Sequence, residues 1–327
     1  MNTYRLYNRQ FQVIGTNAFV IESWKKITRA FETDSIQFVG EVPNIDITSA
    51  VFATVHDKYG NVLFGGLLST PDSSNKLDKA TIYLKDFITM FNTEVILDMT
   101  SYATVDALIT AMFGLATETG ITINLDISAI TSISLDYAKD TTSINIKETV
   151  FELCKQYNLY YEANIDLVNS QLNIEFGVVG SVTLDLNLND WDLKVTAQDF
   201  GTINKATLVS DLDAVEAVYY LCNDNIIRTA PSEAQKIYPV KNKNFIGEDK
   251  EYNAITTLAE NRYQENFDIN IVDTQLEDYG FNTLLTLYVN GIIYKQMPIG
   301  EIEEDSNGNK TLRIGYRPRL FTQRRSS

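Results

Sequence analysis

The spacing of apolar residues changes period twice along this chain, and that constrains its fold more than any single motif. Through the first hundred residues apolar and polar positions alternate, as in Ile36 and Phe38 and in the run VFATVHDKYGNVLFGGLLST, which is the pattern of half-buried strands. From Thr104 to Thr119 the apolar residues fall at Val105, Leu108, Ile109, Met112, Leu115 and Ala116. That is helical spacing, with Asp106 complementing the dipole of the first turn and Gly120 available as a left-handed stop. A second helix is predicted over Ile146–Tyr157, where Asn145 and Glu148 form a cap-like pair and Val150, Phe151, Cys154 and Tyr157 form the stripe. LYYEANIDLVNSQLNIEFGVV then reads as two strands joined at Asn169-Ser170. Alternation returns afterwards, interrupted by one predicted helix from Asp249 to about Glu265 with Ile255, Leu258, Ala259 and Tyr263 facing a core.

Turn chemistry punctuates the strands. Bends are predicted at Arg9-Gln10, at Asp57–Asn61 (where Gly60 and Asn61 tolerate positive φ), near Lys85-Asp86 within KATIYLKDFITMFNTEVIL, at Asn223–Asn225, and at Asn290-Gly291 as a type I′ hairpin. The order is therefore β, α/β, β, which predicts an α+β chain that is mainly β. Residues 1–96, with about six strands and little helix, suggest a small barrel or sandwich; an α/β insertion follows at 97–190, and then a second β-rich part at 191–327 with one helix and a basic tail.

Charge and rare residues close off several functions. The chain has 27 basic and 43 acidic residues, a net of −16. Six basic residues and no acid lie between Lys310 and Ser327, so the first 309 residues carry −22. A body this acidic repels nucleic acid, and only the C-terminal tip, with Arg317, Arg319, Arg324 and Arg325, offers a basic surface. That tip reads as a segment docked on an acidic partner, a cleavable tail or a solvated end. Cys154 and Cys222 read as buried inert thiols, and His56, the one histidine, sits where a strand runs into a turn. No metal site of the common His/Cys kinds is expected, no nucleotide-cradling glycine motif is present, and no cofactor is expected. Asp305-Ser306-Asn307-Gly308-Asn309 begins like a calcium loop, but its glycine is misplaced and Tyr316 stands where the twelfth-position glutamate should be, so it reads as a hairpin tip. No apolar run approaches the ~20 residues of a membrane span, and the N-terminus lacks a signal-peptide core.

Several stretches, in this order, resemble the tail-hub proteins of tailed bacteriophages, the family that includes the central hub of T-even baseplates. The N-terminal part is similar to the family's first barrel through Ser23-Trp24, Arg29-Ala30-Phe31 and Phe38-Val39, and through the hairpin carried by Asn61, Leu63, Phe64 and Gly66. The two amphipathic helices and following hairpin look like its insertion domain. NKATLVSD, the helix from Tyr252 and FDINIVD are similar to its second barrel.

The resemblance implies a structural protein with no catalytic residues. It would be a homotrimer at the distal end of a tail tube or in a baseplate, with two similar barrels per chain making a pseudo-six-fold ring that stacks on a hexameric tail-tube protein. Other baseplate or tail-tip proteins would be its neighbours, DNA would meet it only in passage through an axial channel, and its location would be the virion tail, after assembly in the host cytoplasm. For interfaces, the aromatic clusters Trp24/Phe31 and Tyr288/Ile292/Tyr294 are the candidates, with the interior of their own barrel as the alternative. A carbohydrate- or receptor-binding tail module, a two-carboxylate cell-wall hydrolase and a hub from a phage-derived secretion or contraction device remain as other readings.

Overall fold

A computed structural model describes residues 1–41, 49–72, 79–116, 121–166, 171–180, 182–187, 193–197, 203–224, 226–262, 265–271, 279–289 and 292–315. Six strands come first: β1 (Thr3–Tyr7), β2 (Val13–Arg29), β3 (Ser35–Glu41), β4 (Phe52–His56), β5 (Val62–Asp72) and β6 (Lys79–Lys85). They pair in the order β1-β4-β5-β6-β3-β2, every pair antiparallel, and β1 also pairs with β2, so the ladders return to their start. Alternation sends one side of each strand inward. Tyr4, Leu6, Ile21, Ile36, Phe38, Val55, Phe64, Ile82 and Leu84 form the core they enclose, while Gln37 stays outside.

The middle of the chain contains β7 (Glu94–Ile96), α1 (Val105–Leu115), β8 (Thr122–Asp126), β9 (Ser143–Asn145), α2 (Ile146–Tyr157), β10 (Leu159–Asp166) and β11 (Gln171–Val178). β10 and β11 form the expected hairpin, whose connection at 167–170 lies outside the described residues. β8 adds to it in parallel, and β7 pairs with β9. Asn145 caps α2 by accepting the Glu148 N–H at 3.1 Å, and Asn158 ends it in the left-handed conformation. The two helices bury Leu108, Ile109, Met112, Val150, Leu153 and Cys154 against Leu172, Ile174 and Phe176 of the sheet, and this core reaches Tyr7 and Phe52 of the first unit.

The last part holds β12 (Val182–Asn187), β13 (Leu193–Ala197), β14 (Lys205–Val209), β15 (Val215–Leu221), β16 (Ile227–Arg228), β17 (Asn242–Phe245), α3 (Lys250–Glu260), β18 (Glu265–Ile271), β19 (Thr283–Val289), β20 (Ile292–Asp305) and β21 (Lys310–Ile314). Six of these pair in the order β12-β19-β20-β21-β18-β13. Numbered within their own group, that is first, fourth, fifth, sixth, third, second, which is also the order of β1–β6. Two differences separate the groups: β12 runs parallel to β19, whereas β1 runs antiparallel to β4, and among the described residues no ladder joins β12 to β13. The groups meet where β2 pairs with β20, from Lys25 opposite Asp305 to Arg29 opposite Glu301.

The remaining strands form a separate sheet, β16-β15-β14-β17, inserted between β13 and β18. α3 covers one face of it through Ala254, Ile255 and Leu258 against Ala206, Leu208, Tyr219 and Phe245. The strand NKATLVSD and the strand FDINIVD therefore lie in different sheets. The described part of the chain is mainly β, with α-helices in the middle and in this inserted unit.

Two local expectations are corrected. Lys85-Asp86 is not a hairpin bend: the chain enters a 3-10 turn over Phe87–Phe91, and Glu94–Ile96 pairs with β9 instead. Phe87, Ile88 and Phe91 are all buried, a spacing that a strand would split between two faces. The helix expected to run to Glu265 stops at Glu260, and β18 already starts at Glu265. Its apolar stripe ends at Ala259, after which Asn261 bonds back to the Thr257 carbonyl at 2.7 Å and Arg262 donates to Asn158 at 3.0 Å. The first helix matches its expected stripe but ends at Leu115, and Gly120 lies outside the described residues, as do Tyr263, Asn225 and Asn290-Gly291.

Among the described residues one turn geometry occurs four times, at 8–12, 57–61, 210–214 and 305–309. In each, the first residue's side-chain oxygen accepts backbone N–H groups two and four residues on, and the fourth residue has positive φ. That residue is Gly60 (φ 92) or Gly308 (φ 83) in two turns, but Phe11 (φ 57) and Asp213 (φ 59) in the others. The calcium-like stretch is thus a closed hairpin tip, its Asp305 carboxylate occupied by Asn307 and Asn309.

Candidate assembly surfaces and the inter-unit junction

β2 is long enough to serve three neighbours: β1 along its first half, β3 along its second, and β20 at its end. Its last residue, Arg29, is where the units are tied together. The Arg29 Nε lies 2.9 Å from Glu301 Oε2, and Arg313 Nη1 lies 2.7 Å from Glu301 Oε1. Glu301 is only 1% exposed, so its charge depends on the two guanidinium groups in place of water. The next residue, Ala30, is fully buried and donates its N–H to the Gly300 carbonyl at 3.1 Å. Phe31 then packs against two cores at once, that of the second group of strands and that of the α/β region. The Arg-x-Phe motif is thus an intramolecular joint.

Beside this joint lies a pair of carboxyl groups. The turn after β2 places Asp34 so that it accepts the Arg29 N–H at 2.7 Å and donates its own N–H to Asp86 Oδ2 at 3.0 Å. Asp86, at the end of β6, returns its N–H to the Asp34 carbonyl at 3.0 Å. From β10, the Tyr161 hydroxyl donates to Asp86 Oδ2 at 2.8 Å and lies 3.2 Å from the Glu32 carbonyl oxygen. Burial pushes the Asp86 carboxyl up to about 6 against the opposing pull of the Asp34 N–H and the Tyr161 hydroxyl. Asp34 is raised well above the usual carboxylate range by burial and then by the charge of Asp86.

The residues expected from sequence fall in separate places. Trp24 is half-buried against the core of the first unit, and its backbone carbonyl accepts the Ser306 N–H at 2.9 Å. Tyr288 is 36% exposed on β19. Register opposes it to Ile293, while Ile292 and Tyr294 oppose Val289 and Leu287. Trp24 and Phe31 belong to β2 and its following turn, so the two candidate clusters come from different strand groups. Arg317, Arg319, Arg324 and Arg325 lie outside the described residues. Cys154 and Cys222 are both buried, and burial raises the Cys154 thiol far above its ordinary value. His56 bonds to Thr54 Oγ1 at 2.8 Å and to the Gly60 carbonyl at 3.2 Å, within its own hairpin. Among the described residues no group of three or more His, Cys, Asp or Glu is arranged to hold a metal ion.

Sequence reasoning missed Asp34, Tyr161, Glu301 and Arg313, and named Asp86 only as part of a bend. Arg29 was singled out as part of a motif. Its acidic partner is 272 positions away, a separation over which periodicity carries no signal.

No family model matches the chain, and no curated protein matches it by sequence. Solved structures do share its fold. The prophage tail protein gp18 of Listeria monocytogenes EGD-e superposes with a TM-score of 0.57 at 9% identity, over 99% of this chain and 97% of that one. A 43 kDa tail protein of the Shewanella oneidensis prophage MuSo2 gives 0.56 at 12% identity, over 97% and 98%. A chain of the phage P2 baseplate, in its activated conformation with Ca, gives 0.53 at 11% identity, over 96% and 98%. Across nearly its whole length the chain therefore has the fold of phage tail and baseplate proteins.

Proposed function

We propose that this chain is a structural hub of a phage-type tail or baseplate, located at the distal end of the tail tube and acting without catalysis. The repeated strand order carries the reading. β1–β6 form one small barrel, and β12, β13 and β18–β21 form its counterpart, so a homotrimer presents six similar units around an axis. A trimer meets a hexameric ring with equivalent contacts only when each subunit supplies the contacting element twice. The whole-length likeness to tail and baseplate proteins supports the same assignment. The axis of such a ring is a channel for DNA, and a body of −22 outside the C-terminal stretch keeps a passing polyanion from adhering. Its partners are two further copies of itself, a hexameric tail-tube protein and neighbouring baseplate or tail-tip proteins.

Light scattering on a sizing column across a range of concentrations tests this. The expected mass is three times 36.9 kDa, with rings in electron micrographs of the same peak. A monomer that stays monomeric when mixed with a hexameric tail-tube ring refutes it.

A further inference from the structure

We propose that the Asp34–Asp86 pair is a proton-operated clamp between the first strand unit and the α/β region. The clamp is closed with the Asp86 carboxyl protonated, and it loosens when that group ionises. This inference does not depend on the oligomeric state of the chain.

The geometry sets out what the clamp holds. Asp86 Oδ2 receives one bond from the turn after β2, through the Asp34 N–H, and one from β10, through the Tyr161 hydroxyl. A single carboxyl group thus ties together the end of β6, the β2–β3 turn and the α/β region. Asp86 is 2% exposed, and its other oxygen, Oδ1, is buried without a hydrogen-bond partner. Burial works against a full negative charge on this carboxyl and outweighs the donors that reach it, the Asp34 and Ile88 N–H groups and the Tyr161 hydroxyl.

The surrounding charges do not offset that cost. From β2, Lys26 and Arg29 act on Asp34. The Arg29 guanidinium is already held by Glu301, by the Thr33 carbonyl at 3.1 Å and by Glu32 at 3.9 Å, and Lys26 is shared with Glu162. From α2, Lys147 acts on Asp86, and the Cys154 thiol faces Tyr161. From β10 comes only the Tyr161 phenol, whose ionisation is pushed far up by burial and then by Asp86. Glu301 and Arg313, on β20 and β21, meet the cluster through Arg29.

The direction of the pH effect follows from the raised carboxyl groups. Their protonated form is favoured in the closed junction, so its stability is fully present at low pH and is lost as pH rises through the folded value. With Asp86 at about 6 when closed and 3.8 when solvated, opening becomes about a hundredfold easier across that window.

The test is native-state hydrogen exchange of the full chain from pH 5 to pH 8, corrected for intrinsic rates. It is paired with NMR of protein labelled with 13C at the aspartate carboxyl carbons. One carboxyl is expected to titrate near pH 6, and between pH 5 and pH 8 the amides of β10 are expected to lose about tenfold protection while those of β4 and β5 keep theirs. Asp86→Asn should flatten the β10 profile. Aspartate signals that all titrate below pH 5, β10 protection that ignores pH, or an Asn variant with the parent's slope each overturn the proposal. Should Asp86→Asn not fold, the titration and exchange of the parent chain decide it alone.

Discussion

Glu301→Gln tests the joint between the two strand groups. The substitution keeps the shape of the side chain and removes the charge that both Arg29 and Arg313 contact, at 2.9 and 2.7 Å. Removing one partner of a buried ion pair costs about 3–5 kcal/mol, because the other charge stays desolvated and unpaired. Here the arginine side chains are 19% and 30% exposed and recover some hydration, which puts the expected loss at the lower end, about 3 kcal/mol. The loss should concentrate at the β2–β20 seam, so urea unfolding followed by circular dichroism should broaden or divide into two steps as the groups uncouple. Arg29→Gln combined with Glu301→Gln should cost less than the sum of the single changes, with a coupling above about 1 kcal/mol. A loss under about 1 kcal/mol with an unchanged transition, or strict additivity in the double variant, refutes the view that this carboxylate holds the two groups together.

Three further outcomes are expected. In Gly66→Ala, the added Cβ would sit 2.1 Å from the Lys85 carbonyl oxygen, so β5 and β6 must separate; the melting temperature should fall by the equivalent of about 3 kcal/mol, while Gly114→Ala, with nothing within 4 Å, should hold or gain stability. Asp213→Gly should stabilise the β14–β15 hairpin by about 0.5 kcal/mol in denaturant titrations, because it relieves a φ of 59 that glycine adopts freely. Trp24→Ala should lower stability by about 2 kcal/mol and leave the mass in light scattering unchanged, since the ring is half-buried in its own unit; loss of assembly with stability intact would place it at an interface instead.

Much of the architecture follows from local physics, and there the sequence is a sufficient guide. Alternation in SIQFVGE puts Ile36 and Phe38 inside, and helical spacing from Ile146 to Tyr157 with Asn145 at its start produces α2. DKYGN and DSNGN each close the same turn with an aspartate and a glycine. These features depend on neighbours within about five positions, and their side chains carry the geometry directly. Fine boundaries were less legible where one apolar pattern admits two structures, as at Phe87–Phe91, where burial of three large residues selected a 3-10 turn over a strand.

What the tertiary structure alone decided is which strands are neighbours and which charges meet. The matching order of β1–β6 and of β12, β13 and β18–β21 appears in no repeated motif, because a ladder is made by backbone groups common to every residue except proline. Arg29 with Glu301 and Tyr161 with Asp86 are brought together across 272 and 75 positions by pairing and burial. Once the water is excluded there, ordinary acids become a joint and a proton-sensitive pair. The composition determined that this chain is acidic and able to build cores; only the packing decided which few of its 43 acids are taken out of water.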